Sequence, residues 1–80
     1  MKATSHKWEL VDVIDSYILD GIEIQIILQN VSVKGEKGIF RWADWSEEKG
    51  ILEFGPISFN CSDAIAQAEA RAIEKSSLDF

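Results

Sequence analysis

Cys61 and His6 are the chain's only cysteine and only histidine, and they are its two best candidates for a nucleophile or a general base. His6 precedes every predicted strand, where an exposed imidazole on a mobile terminus is expected. Cys61 precedes a predicted helix, and a helix N-terminus can lower the pKa of a thiol. Because Cys61 has no second cysteine and no nearby histidine, a packed structural thiol is favoured, with a reactive thiol as the alternative. The pair also offers no disulfide and no metal-ligand set, so no metal and no cofactor are expected.

Carboxylates are abundant, but their spacing does not suit acid–base catalysis. Glu47 and Glu48 are adjacent in a predicted turn, where neighbouring side chains point apart into water. The five glycines form neither of the phosphate-binding motifs G-x-x-x-x-G-K-[ST] and G-x-G-x-x-G. The sequence therefore predicts a protein that is not an enzyme.

Charge is the strongest indication of function. Fourteen acidic residues against eight basic ones give a formal charge of −6. No Lys or Arg occurs between Lys7 and Lys34, a stretch that contains Glu9, Asp12, Asp15, Asp20 and Glu23. Such a surface repels phosphates, which argues against direct binding to nucleic acid or anionic lipid, and it attracts a basic protein. The alternative is that these carboxylates only keep the protein soluble.

A hairpin is the clearest predicted element. Ile22, Ile24, Ile26 and Leu28 alternate with polar residues, the period of a half-buried strand. Asp20-Gly21 suits a two-residue turn, so residues 8–19 and 22–33 are expected to pair, with a break or bulge at Asp15-Ser16.

A second hairpin explains why EKGIFRW at residues 36–42 returns as EKGILEF at residues 48–54. Each copy is a turn followed by a strand, over residues 39–45 and 51–59. Gly55-Pro56 predicts that the fourth strand lies at a sheet edge or bulges. The turn position brings Arg41 opposite Glu53 as a cross-strand ion pair.

Residues 62–75 change to a helical period. Ile65, Ala68 and Ala72, with Ile73 or Cys61, form one apolar stripe, and Asn60 or Ser62 can cap the first turn. The predicted fold is α+β: a four-stranded antiparallel meander with one C-terminal helix on one face (β-β-β-β-α). Residues 1–80 form a single domain, with 1–6 flexible and 77–80 a short tail. The other sheet face must meet water, a second subunit or a target.

Trp42 and Trp45 lie three residues apart on one predicted strand, so they should point to opposite sheet faces. One of them should therefore lie outside the helix-covered core. An exposed Trp near Arg41, Glu47 and Glu48 would be an interface anchor.

Location follows from what the sequence lacks. No apolar run follows the N-terminal lysines, and no stretch of 18 apolar residues occurs, so neither secretion nor membrane insertion is expected. A lone thiol is typical of a cytoplasmic protein.

The segment FRWADWSEEKGILEFGPISFNCSDAIAQAEARAIEK, residues 40–75, resembles small bacterial and phage proteins in which a sheet is followed by a polar cap, an acidic residue and an Ala-rich helix. Small acidic proteins of this kind from phages and mobile elements include anti-CRISPR inhibitors and anti-restriction DNA mimics. The HicB antitoxin family ends a strand-rich unit with a similar helix. The resemblance carries no functional residues over to this chain.

Two functions follow as hypotheses. The first is an anti-CRISPR-like inhibitor whose acidic surface blocks a basic, nucleic-acid-binding surface of a host protein. Its predicted contact residues are Glu9, Asp12, Asp15, Asp20, Glu23, Asp44, Trp45, Glu47 and Glu48. The second is a homodimeric structural or regulatory domain of the HicB type, with two copies pairing their uncovered sheet faces.

Overall fold

A computed structural model describes residues 8–32 and 38–77. Its elements are the strands β1 (Glu9–Leu19), β2 (Ile22–Asn30), β3 (Phe40–Ser46) and β4 (Gly50–Phe54) and the helix α1 (Cys61–Ser77). The strands form one antiparallel sheet in the order β1-β2-β3-β4, and the helix packs on it, which confirms the predicted α+β meander. The segment 1–6 expected to be flexible, all but Gly38 of the turn predicted over residues 34–38, and the tail after Ser77 lie outside the described residues.

The β1–β2 turn has the predicted geometry. Asp20 and Gly21 have φ angles of 53° and 80°, so both central residues are left-handed, as a primed two-residue turn requires. Leu19 then pairs with Ile22. This turn sets the register that places Ile24, Ile26 and Leu28 on one buried face.

Strand β1 is an edge strand with two irregularities. Its register shifts between Leu10 and Asp12 and again between Val13 and Asp15, the second just before the predicted break. Asp12 and Asp15 each accept a hydrogen bond of 2.8 Å from the amide of the next residue. Amides engaged in this way, on a bulged strand, are poor templates for another strand.

The register of the β3–β4 hairpin differs from the predicted one at one cross-strand contact. A register shift after Asp44 places Glu53 opposite Asp44, so Glu53 points to the helix-covered face. The predicted pairing of Arg41 with Glu53 is therefore wrong. Arg41 stacks instead 3.7 Å from the ring centroid of Phe54, and its Nε donates to Gln29 Oε1 at 2.8 Å on the opposite face.

Strand β4 ends at Phe54, earlier than the predicted residue 59, because Gly55-Pro56 leaves the ladder. The chain returns at Ser58, which exchanges two backbone hydrogen bonds of 2.7 and 2.8 Å with Phe40. The predicted edge position of this strand is confirmed.

The helix begins as expected, with Asn60 Oδ1 accepting a hydrogen bond of 2.9 Å from the Ser62 amide. Its inward face differs in part from the prediction. Ala68 is buried as expected, but Ile73 is 70% exposed, and Arg71 occupies the buried stripe instead. Because its inward residues are small, the helix can lie close to β1, β2 and β3.

The core lies between the helix and the sheet. Ile26, Trp42 and Ala68 form its centre, and Ile14 and Tyr17 pack against them. Trp42 is thus the covered tryptophan. Trp45 lies on the opposite face and is half-buried, so the predicted separation of the two indoles is confirmed.

Gly55 has no room for a side chain beside the core. Its amide donates to the Trp42 carbonyl at 3.0 Å, and a Cβ at Gly55 would overlap the Trp42 indole. We expect Gly55→Ala to lower the free energy of unfolding by about 1–3 kcal/mol through overpacking. Lys49→Ala, in an exposed turn, is the control and should cost no more than about 0.5 kcal/mol. Urea unfolding measures the free energy of unfolding of both variants. Equal stability of the two would show that the Trp42 indole can move aside without cost.

Candidate functional site

The two turns at one end of the sheet enclose a groove. In an antiparallel meander the β1–β2 and β3–β4 turns lie at the same end, and pairing of Gln25 with Trp45 sets them side by side. The open groove between them has a volume of about 610 Å³. Its lining residues are Gly21, Ile22, Glu23, Gln25, Trp45, Glu47 and Glu48.

Trp45 is the aromatic residue of this groove. It lies between Gln25 on β2 and Ile51 on β4, on the sheet face away from the helix. No helix among the described residues packs on that face. Trp45 therefore combines partial burial with an accessible surface, as an interface anchor does.

The rim of the groove is negatively charged. Glu23, Glu47 and Glu48 are exposed, and none of them forms an ion pair within the described parts of the chain. Asp20 lies beside the groove, next to Gly21 in the turn. Five of the nine residues predicted as contacts are thus brought to one end of the sheet.

Three other predicted contacts lie elsewhere. Glu9, Asp12 and Asp15 follow β1, where their partners in register are Asn30, Leu28 and Ile26, on the helix side of the sheet. All three are exposed. The base-free acidic stretch is therefore divided between two surfaces, and only its last part adjoins the groove.

Asp44 does not lie on an accessible surface at all. It is 1% exposed, because period two turns it towards the helix when Trp45 turns away. Its Oδ2 accepts hydrogen bonds from Arg71 Nη2 at 2.6 Å and from the Tyr17 hydroxyl at 2.9 Å. The expectation that Asp44 contacts a partner is corrected accordingly: its charge is neutralised inside the protein.

Arg71 completes this buried network. It also donates to Glu53 Oε1 at 3.0 Å and lies 4.7 Å from the ring centroid of Trp42. Although burial would lower the pKa of the Arg71 guanidinium, the bonds and charges of Asp44 and Glu53 raise it above its ordinary value. The apolar stripe predicted for the helix does not include Arg71. Its spacing from Ala64 and Ala68, on one helical face, is the signal that could have predicted its burial.

The described residues contain no cluster of three or more His, Cys, Asp or Glu side chains arranged to hold a metal ion. Within them there is also no helix with the length and hydrophobicity needed to cross a bilayer. Cys61 is half-buried at the first position of the helix. The groove brings exposed carboxylates together with the Trp45 ring, groups that can interact favourably with positive charge.

No protein-family model, curated protein or solved structure matches this chain.

Tyr17 reports on the buried network because it is the only tyrosine of the protein. Burial, the hydrogen bond to Asp44 and the charge of Asp44 together raise the pKa of Tyr17 to about 12. An unfolded chain loses this proton near pH 10, so between pH 10 and about 12 the native state holds more protons than the unfolded state. Stability contributed by the neutral hydroxyl is complete below pH 10 and is lost as pH rises through that window.

We therefore expect the tyrosinate absorbance of the folded protein to appear about two pH units above that of the protein in denaturant. Asp44→Asn removes the carboxylate and should move the folded midpoint towards the unfolded one. If the folded and denatured proteins titrate together, the Tyr17–Asp44 hydrogen bond does not form in solution.

Proposed function

We propose that this protein is a non-enzymatic binding module whose acidic groove contacts a basic surface of another protein. The observation that supports it is the convergence of Glu23, Glu47 and Glu48 around Trp45. The carboxylates come from the start of β2 and from the β3–β4 turn, two segments that are far apart in sequence. A charge pattern serving solubility alone does not require an aromatic side chain at its centre.

The apolar part of the same sheet face supports a protein partner. Val13, Ile27, Ala43 and Phe54 are directly opposed in register and form one apolar row across all four strands. Ile27 and Ala43 are buried within the chain, and only Val13 and Phe54, at the two ends of the row, are about half exposed. Exposed apolar side chains beside a charged rim are a usual composition of a protein interface.

The proposed mode of action is inhibition by occupation. A basic surface that binds nucleic acid presents Lys and Arg side chains towards phosphates, and carboxylates can take the place of those phosphates. By binding there, the module would exclude the nucleic acid. The protein would then act in the cytoplasm as an anti-CRISPR-like inhibitor. Because the charges are exposed, binding should weaken as salt increases.

The test compares two variants of equal charge. Glu23→Lys with Glu48→Lys reverses the charge of two groove residues. Glu9→Lys with Glu69→Lys reverses the charge of two exposed residues outside the groove. Immobilised proteins are presented with the heparin-binding fraction of a bacterial lysate. At low salt we expect the groove variant to bind the captured proteins about tenfold more weakly or worse, and the control variant to bind like the unaltered protein. Duplex DNA should compete with capture.

If both variants lose binding to the captured proteins equally, only net charge matters, and the proposal of a specific binding groove is refuted. Capture that DNA does not reduce would refute inhibition by occupation of a nucleic-acid-binding surface.

A homodimer is the second candidate, because the exposed ends of this row, Val13 and Phe54, could pack against their copies in a second chain. Leu10 and Ile18 add further exposed apolar area to this face. Sheet faces that pack together bury such rows against each other.

For the dimer we expect sedimentation at micromolar concentration to give twice the chain mass. Val13→Lys should then dissociate the dimer, because it places a charge in the apolar row. Ile73→Lys, at an exposed position of the helix, is the matched control and should leave the dimer intact. A monomeric unaltered protein would rule this candidate out.

A further inference from the structure

The buried network provides an internal example of how this chain binds an arginine. The Arg71 guanidinium lies over the ring of Trp42 and donates to the carboxylates of Asp44 and Glu53. One aromatic ring and two carboxylates from different elements thus hold one guanidinium. Arg71 also shows that such a site can be assembled across adjacent strands of this sheet.

The groove presents the same set of groups on the opposite face of the sheet. Trp45 supplies the ring, Glu23 supplies a carboxylate from β2, and Glu48 supplies one from the β3–β4 turn. No described Arg or Lys pairs with either carboxylate. The chain therefore assembles the partners of a guanidinium in an open groove without supplying the guanidinium itself.

The size of the groove fits a long side chain with part of its backbone. Its volume of about 610 Å³ is within the range of small-ligand sites and exceeds what a single hydrated ion needs. Its opening to solvent suits entry from outside the sheet. These dimensions favour a side chain of an extended basic segment over a free metal ion.

Arginine fits this set better than lysine. The guanidinium is planar, so it can stack on an indole while its edge donates two hydrogen bonds to a carboxylate. The ammonium of lysine is a strongly hydrated point charge and cannot do both in one orientation.

We propose that the groove is an arginine-binding site, in which an Arg side chain of the partner protein stacks on Trp45 between Glu23 and Glu48. This inference rests on the proposed function, of which it specifies the partner's chemistry. The inserted Arg is the anchor of the complex, and the surrounding acids guide the basic segment towards the groove.

The test uses short blocked peptides of arginine or of lysine, matched in length, and follows their binding by NMR. On titration with the arginine peptide, the indole N–H of Trp45 and the backbone amides of Glu23 and Glu48 should shift, and the indole N–H of Trp42 should not. The lysine peptide should bind about two- to fivefold more weakly, the size of the lost stacking contribution.

Two variants separate the ring from the charges. Trp45→Leu should weaken the arginine peptide about two- to fivefold and abolish the preference for arginine over lysine. Glu23→Gln with Glu48→Gln, which keeps the ring and the side-chain volumes, should weaken both peptides about fivefold. Glu9→Gln with Glu69→Gln removes the same charge elsewhere and should change neither affinity. Shifts spread evenly over all acidic surfaces, or an unchanged arginine preference in Trp45→Leu, would overturn the proposal.

The outcome also distinguishes this inference from the function on which it rests. If the peptides fail to bind at the groove but Glu23→Lys with Glu48→Lys still abolishes capture of basic proteins, the arginine site is wrong and the binding module remains. If the groove variants affect neither peptides nor capture, both are wrong.

Discussion

The contact between Arg71 and Asp44 determines how the two layers of this protein fit together. The inward face of the helix is mainly alanine, and alanine buries little apolar area, so the helix gains little from burial alone. The guanidinium of Arg71 supplies the missing specificity by reaching a carboxylate that is 1% exposed on β3. Separating such a pair leaves a buried charge without a partner, which typically costs about 3–5 kcal/mol. The helix is thereby held in one position across β1, β2 and β3.

The Arg71–Asp44 contact and the groove are structurally linked because they meet on one strand. Asp44 and Trp45 are successive residues of β3, so their side chains leave the sheet on opposite faces. Asp44 is held by Arg71 and Tyr17, which restricts the backbone that carries Trp45. The aromatic residue of the groove is therefore positioned by a buried polar network, and it belongs to a paired strand instead of a loop. A side chain supported in this way loses little conformational entropy when it binds a partner.

Local patterns predicted the elements of the fold, and long-range pairing decided the rest. The alternation over residues 22–28, the Asp20-Gly21 turn and the Asn60 cap each depend on a few neighbouring residues, and each is found as predicted. The burial of Asp44 depends on Arg71, 27 residues away, and no local pattern contains that contact. The register shift after Asp44 likewise comes from the pairing of two strands. Sequence reasoning therefore identified the acids and Trp45 as candidates, but it could not separate the acids of the groove from those that line β1 or lie inside the core.

The acids of this protein illustrate why net charge alone does not identify a binding site. Inside the protein a carboxylate must be compensated, and Asp44 has Arg71 and Tyr17 as partners, without which its buried charge would be strongly destabilising. At the turns the carboxylates keep their hydration, so their mutual repulsion is weak and screened by salt, and the fold tolerates them without internal partners. The same −6 charge thus contains groups that fix the structure and groups that leave it unaffected. Only the exposed carboxylates are available to bind another molecule. The meander brings two turns together beside Trp45 and so concentrates several of these carboxylates at one end of the sheet.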